Sequence, residues 1–346
     1  MRRALDRLLP SLRPKYRRGS SGHCYIDAMD FATDKTLSRR AALLGGLCLC
    51  CMPTRLRAEA AGAPQPATMV EVAPGIHVRQ GLAEDATAGN FDAIANLGFI
   101  IGRDAVAVID PGGSLHDGRS LRLAIRARTQ LPIRYVVLSH VHPDHIFGAA
   151  AFKDDVPTFV GHAELPQQLA ARGAFYRDGL EKILGTEEVG EVVMPTMLVA
   201  RDKPAELDLG GRGLVLTAHQ PAHTVSDLSV LDKQSGILFA GDLLFVGRTP
   251  SLDGDLKGWL KELATMRDSG VRQAVPGHGP PLVSMQDAVA PLERYFTVLR
   301  DETRAAIAKG TPIEEAATTL ALSERSHWAM FDAYNGRNVI EAYRRL

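Results

Sequence analysis

Residues 139–148 read SHVHPDHIFG and follow directly on IRYVVLS, an apolar run of buried-strand type. Three of the chain's 11 histidines and one aspartate fall between His140 and His145. Open α/β sheets usually place their sites beyond the carboxyl ends of strands, so the motif fixes where the fold must open. Imidazoles at His140 and His142, two apart on a loop leaving a strand, can converge on one ion. Asp144 and His145 can then turn toward another. Metal–ligand bonds to nitrogen and oxygen are only about 2 Å long, so ligands must crowd in sequence or come from loops that fold together. One short loop cannot close two sites.

Further donors stand at other strand ends: His223 in PAHTVSD, Asp242 in FAGDLLF and His278 in VPGHGP. Each adjoins an apolar strand and lies near Gly or Pro, which favour turns that aim a side chain at a rim. All four cysteines (Cys24, Cys48, Cys50 and Cys51) precede residue 52, so the rest of the chain has no thiolate ligand, disulfide or cysteine nucleophile. Any metal there takes nitrogen and oxygen ligands.

Short β-rich runs alternate with helical patterns from residue 69 onward. NLGFIIG and AVAVID read as paired strands, and a helix over residues 115–128 leads to IRYVVLS. A second, similar half has strands GLVLTAH, DLSVL and GILFA, a helix over 256–266 and strand VRQAV. The tail is helical. Leu292, Tyr295, Phe296, Leu299 and Ile307 make one stripe ending at Gly310, and Thr311-Pro312-Ile313-Glu314 reads as a capping box opening another helix. The expected organisation is an N-terminal extension and signal over 1–60, a Pro/Ala/Gly linker over 61–68 and one domain over 69–346.

The extension carries a twin arginine (Arg39, Arg40), an apolar run from Ala41 to Met52 and an Ala58-Glu59-Ala60 cleavage-type site. A run that short falls below the roughly 20 residues of a spanning helix, so a cleaved export signal is the expectation, with Met29 as an alternative start. The setting resembles a bacterial twin-arginine signal and implies a periplasmic protein with no stable membrane anchor after processing. Residues 1–60 hold twelve Lys/Arg against five Asp/Glu, leaving 28 basic and 35 acidic side chains beyond them. That balance argues against a nucleic-acid partner and leaves a small-molecule substrate.

The H-x-H-x-D-H signature at His140–His145, followed in order by His223, Asp242 and His278, resembles the pattern of the metallo-β-lactamase fold over residues 70–346. The resemblance implies an α/β, αββα sandwich with C-terminal helices and a site in the groove along the sheet edges. Position by position, it implies that His140, His142 and His223 hold one metal, that Asp144, His145 and His278 hold a second, and that Asp242 bridges them. Asp110 in VAVIDPGGS resembles an aspartate that orients a ligand imidazole by accepting its second N–H; its alternative is a turn former before Pro-Gly-Gly. One β-lactamase group uses cysteine on the second metal and another lacks the bridging carboxylate. The glyoxalase II and lactonase branches are therefore nearer in pattern, and the flavodiiron branch has glutamate where His142 stands.

The implied cofactors are two Zn2+, with iron as the alternative. The implied chemistry is hydrolysis of an ester, thioester, lactone or amide by a hydroxide shared between the metals, with Asp144 orienting it or relaying its proton. No G-x-S-x-G serine elbow competes with that reading. SHVHPDHIFG together with GHAELPQQL, GDLLFVGRTPSLDGDLKGW and NGRNVIEAYRRL is similar to a periplasmic branch associated with sulfur oxidation and quinoprotein relay systems.

Two other functions remain open. Persulfide dioxygenases share the motif and bind one iron, which His140, His223 and Asp242 could supply as a 2-His-1-carboxylate set. A non-catalytic metal-binding relay protein is the other. His77, His116, His162 and His327 are read as ordinary hydrogen-bonded histidines, and His219 as a substitute for His223 or a residue supporting it. Arg248, Asp253 and Trp259 stand close behind Asp242 near the groove but are assigned no role. The sequence does not give the oligomeric state.

Overall fold

Strands whose alternate residues are all apolar must bury both faces, and two such sheets stack here with helices on their outer sides. The computed structural model describes residues 62–346; the cysteines, Arg39, Arg40 and the apolar run expected to act as a signal lie outside the described residues. The first sheet has seven strands in sequence order: β1 (Val70–Ala73), β2 (Ile76–Arg79), β3 (Leu97–Ile101), β4 (Val106–Ile109), β5 (Ile133–Leu138), β6 (Thr158–His162) and β7 (Met197–Val199). β1 to β4 pair antiparallel and β4 to β7 parallel. Between them come α1 (Leu115–Arg126), the short α2 (Pro143–Ile146), a 3-10 segment (Phe147–Asp155) and α3 (Leu165–Leu184).

The second sheet runs in the order β13-β12-β11-β10-β9-β8. Its strands are β8 (Ala205–Asp208), β9 (Gly213–Ala218), β10 (Leu228–Asp232), β11 (Ile237–Phe245), β12 (Gln273–His278) and β13 (Val283–Ser284). α4 (Leu256–Asp268), α5 (Met285–Lys309), α6 (Ile313–Thr319), a 3-10 segment (Leu322–His327) and α7 (Phe331–Arg345) complete the chain. Among the described residues no helix is long and apolar enough to cross a membrane.

The period of two along each strand sorts side chains into separate cores. In β4, Val106 and Val108 face the helices of the first half, while Ala107 and Ile109 face the other sheet. Leu214, Leu216, Leu228 and Val230 meet Ala107 and Ile109 across the sheet–sheet interface. On the far side of the second sheet, Leu243, Trp259, Leu292, Tyr295, Phe296 and Phe331 form a third core with α4, α5 and α7. The layers are therefore helix, sheet, sheet, helix, as the resemblance implied. A buried guanidinium staples the sheets: Arg212 grips Asp232 through two hydrogen bonds (2.9 and 3.0 Å) and donates from Nη1 to the carbonyls of Pro74 and Ile101.

Three local expectations need correcting. α6 begins at Ile313 with Pro312 as its N-cap and no side-chain capping bond, so Thr311 closes no capping box. Ile307 does not complete the buried stripe of α5, because at 37% exposure it lies on the solvent side. GILFA is only the start of β11, which runs on to Phe245 and carries Asp242 inside the strand.

Candidate metal centre

The loop beyond β5 is set by its own chemistry. Pro143 at the first position of α2 starts a helical turn that His142 precedes in an extended conformation, so the chain bends sharply at the rim. Asp110, just past β4, adopts a positive φ of 56° and ties the loop down. Its Oδ1 accepts the Ser139 backbone N–H (2.8 Å), and its Oδ2 accepts from the Ser139 hydroxyl and His145 Nδ1 (2.8 Å each). His140 and His145 end fully buried, their ring centroids 4.4 Å apart.

The second sheet supplies the remaining donors. His223 sits in the β9–β10 loop, whose turn is closed by the Thr224 N–H and hydroxyl donating to Asp227. Arg201 pins the same loop by donating to the carbonyls of His219 and Val225. Asp242 lies where β11 departs from regular pairing with β12, beside Gly241 at φ 54°. The facing residue is Gly277, where any Cβ would collide with Asp242 Oδ1. His278 ends β12.

These side chains converge in two groups whose donor atoms all lie within 4.8 Å of one another: His140, His142, His223 and Asp242 in one, and Asp144, His145 and His278 in the other. His223 Nε2 is 2.8 Å from His142 Nδ1, 3.2 Å from His140 Nε2 and 3.3 Å from Asp242 Oδ2. In the second group Asp144 Oδ2 is 3.3 Å from His278 Nε2 and 3.6 Å from His145 Nε2. Asp242 joins them, with Oδ1 3.0 Å from His145 Nε2 and Oδ2 3.5 Å from His278 Nε2.

Whether a cation fits can be judged from where the imidazole protons sit. His223 Nδ1 donates to the Ser251 carbonyl (2.7 Å), and a carbonyl can only accept, so Nε2 keeps a bare lone pair. His145 Nδ1 and His142 Nε2 face the carboxylates of Asp110 (2.8 Å) and Asp253 (3.1 Å), which bares their inward nitrogens in the same way. Ser139, whose proton goes to Asp110, accepts from His140 Nδ1 (2.9 Å). His145 Nε2 and Asp242 Oδ1 are buried with no hydrogen-bond partner despite lying 3.0 Å apart. Lone pairs crowded in this way repel unless a cation lies among them, so the donor set fits a metal site.

The electrostatics agree. Burial pushes Asp242 up, but His278, His145 and His223 overcome it and hold its carboxyl well below the usual range. Burial pushes His223 down to about 3 and His140 well below the ordinary imidazole value. Burial also opposes charge on His145, yet Asp242, Asp144 and Asp110 together raise it well above its ordinary value. The carboxylate end of the site therefore favours positive charge.

The family model described as the metallo-beta-lactamase superfamily matches residues 92–278, just over half of the chain and a span that includes both donor groups. The chain belongs to the metallo-beta-lactamase superfamily. Its two sheets with outer helices are the fold of that superfamily, and the clustered His and Asp donors make a candidate metal site. Among curated superfamily relatives it is similar to the probable metallo-hydrolase YqgX of Bacillus subtilis, at 27% identity over 54% of this chain and 85% of that one. It also resembles the beta-lactamase-like protein 2 homolog of Caenorhabditis elegans, at 26% identity over 45% of this chain and 46% of that one.

Solved structures with a similar fold include a sec-alkylsulfatase, Pisa1, from Pseudomonas sp. (TM-score 0.59, 18% identity, 81% of this chain and 50% of that one). Another is a metallo-beta-lactamase from Pontibacter korlensis (TM-score 0.53, 17% identity, 66% and 98%). The chain spans about half the length of the nematode relative and of the alkylsulfatase.

His219 stays outside both groups, with Nδ1 on Glu262 (2.9 Å) and Nε2 on Ser229 (2.7 Å). His77 and His116 stack on Phe99 and Phe91. Trp259 donates to the Leu243 carbonyl (3.0 Å) and sets its ring 5.1 Å from that of His223, so it is both a core residue and a wall behind a donor. The sequence left Asp253 without a role, yet it holds His142, and Arg172 of α3 grips it with both Nη atoms. Nothing in the spacing of Arg172 or Tyr334 marks them, whereas Arg248 lies near the groove as its place behind Asp242 suggested; Arg248 and Tyr334 line a cavity of about 150 Å³ beside the two groups, with Ile94, Phe245, Thr249 and Ser251.

Proposed function

We propose that this chain is an exported binuclear zinc hydrolase, its domain spanning 69–346, that attacks an ester, thioester, lactone or amide bond with water. The observation that carries the reading is Asp242, one carboxylate within reach of both donor groups. Two zinc ions bound there would supply a water molecule acidified from a pKa of 15.7 toward about 7 and a Lewis acid for the substrate oxygen.

The chain's own residues do the rest. His140, His142 and His223 would hold one ion, Asp144, His145 and His278 the other, and Asp110 and Asp253 keep imidazole protons on the outward nitrogens. Burial pushes Asp144 up, but His145 and His278 keep its carboxyl well below the usual range. Kept ionised in this way, Asp144 would accept a hydrogen bond from the attacking water and orient it. Ile94, Phe245 and Pro143 on the cavity wall limit competing water. The likeness of the 139–148, 161–169, 241–259 and 335–346 tracts to the sulfur-oxidation and quinoprotein branch supports periplasmic work on a small molecule.

Metal quantification on protein purified without added metal, followed by a leaving-group panel, tests the reading. About two zinc ions per chain and turnover of at least one ester, thioester, lactone or amide are expected. Fewer than one ion per chain would overturn it. One iron with oxygen uptake on glutathione persulfide would replace it with the oxygenase, and full metal content without turnover would favour the relay protein.

A further inference from the structure

Buried arginines in this fold come with carboxylates. Arg79 meets Asp117 at 3.0 Å and Arg212 meets Asp232 at 2.9 Å. Arg248 differs. It is only 5% exposed, and among the described residues no carboxylate lies within hydrogen-bonding distance, Asp85 Oδ1 standing at 3.9 Å on an exposed side chain. Its Nη2 donates to Tyr334 Oη (3.0 Å), and that hydroxyl spends its own proton on Asp85 (2.6 Å). Its Nη1 lies 3.1 Å from His278 Nδ1, but that nitrogen donates its proton to the Ile94 carbonyl (3.0 Å) and has no lone pair left for Nη1. Its Nε has no partner.

A guanidinium carries five N–H donors and a charge that is never lost, so burying one with Nε unpaired and its carboxylate, Asp85, no nearer than 3.9 Å on an exposed side chain is expensive. The expense is hard to explain as architecture, because Arg248 lines the cavity beside the metal donors rather than a core. Tyr334, pushed by burial up to about 12, stays a phenol on the same wall. Ile94 and Phe245 add apolar surface, and the cavity measures about 150 Å³.

We propose that Arg248 is a specificity residue that supplies the counter-charge for an anionic substrate, one bearing a carboxylate on a short apolar stem that seats between Arg248 and Tyr334 beside the scissile group. The assignment rests on the hydrolase reading of the same cavity and narrows its substrate class. Planar, bidentate recognition is what a guanidinium offers a carboxylate and an ammonium does not.

Succinate and its neutral diamide, succinamide, are a matched pair of probes. Calorimetric binding of each is measured on the metal-loaded protein and on chelator-treated protein, for the native chain, Arg248→Gln, Arg248→Lys and Tyr334→Phe, with metal content recorded for every sample. The native protein is expected to bind succinate at least about tenfold more tightly than succinamide in both forms. Arg248→Gln should erase that preference while keeping its metal, Arg248→Lys should retain part of it, and Tyr334→Phe should weaken succinate by about two- to fivefold.

Equal binding of the two probes by the native protein, or unchanged succinate affinity in Arg248→Gln, would overturn the assignment. So would a preference present only with metal bound and indifferent to Arg248, since the carboxylate would then be reading the ions alone. If Arg248→Gln does not fold, full succinate affinity in Arg248→Lys and Tyr334→Phe would overturn it equally. Failure of the metal count in the native protein would instead sink the hydrolase reading and leave the chelator-treated comparison to decide on Arg248.

Discussion

At Gly277 a single missing methyl group decides where Asp242 can stand. A Cβ there would press on Asp242 Oδ1, which is already flanked by its own strand. Gly277→Ala should therefore lower zinc affinity by about tenfold or more and cost about 1–3 kcal/mol of stability through overpacking. A chelator-competition titration beside a denaturant melt reads both, and native affinity in the variant would contradict the placement of the carboxylate. Asp253 acts on the opposite flank. Asp253→Asn should cost about 10- to 100-fold in metal affinity, because an amide rotated by Arg172 no longer guarantees an acceptor for the His142 Nε2 proton. Although Asp242 proves to lie inside β11 rather than at its end, the seven candidate donors were legible in the sequence by residue type and by their place close to apolar strands. Arg172 and Tyr334 were not: they reach the site from α3 and α7, 81 residues before Asp253 and 86 beyond Arg248, and only packing brings them in.

Elements, too, carry a pH signature. His162 ends β6, accepts the Glu164 N–H at Nδ1 (2.9 Å) and offers Nε2 to the His219 carbonyl (3.3 Å), so the neutral ring links the first sheet to the loop that presents His223. Burial, with Arg201 nearby, pushes its pKa down from 6.5 to about 4. The unfolded chain then binds a proton that the folded one refuses across that window. Stability should be complete above about 6.5 and fall as pH drops toward 4, by up to about 3 kcal/mol from this group. His162→Gln keeps both hydrogen bonds and removes the titration, so melts across this range should show a flatter acid limb; an identical limb would assign the effect elsewhere. The periodicities of two and 3.6 gave β3, β4, β5, β9 to β12, α1, α4 and α5, and cap-type residues gave α6, whereas β1, β2, β6 to β8, β13, α3 and α7 went unread and boundaries were only approximate. Thr311 looked like a cap by residue type, but Pro312 took the position, and β11 outran its apolar core because Asp242 continues the strand through an irregular pairing.

For the whole molecule, metal and fold are coupled. A ligand that binds only the folded state stabilises it by RT ln(1 + [L]/Kd), about 2.7 kcal/mol for one site at a hundredfold excess over Kd. Removing metal with a chelator should lower Tm and zinc should restore it, with Asp242→Ala blunting the response; a Tm indifferent to metal would argue against a tight site. The donors themselves are divided. His140, His142, Asp144 and His145 hang from the first sheet, while His223, Asp242 and His278 hang from the second. A bound ion would work as a rivet through the seam, and slippage of one layer past the other by about 1 Å would spoil both holes together. Conditions that loosen either layer should thus release the ions well before the chain unravels, making metal loss the earliest signal of a failing interface.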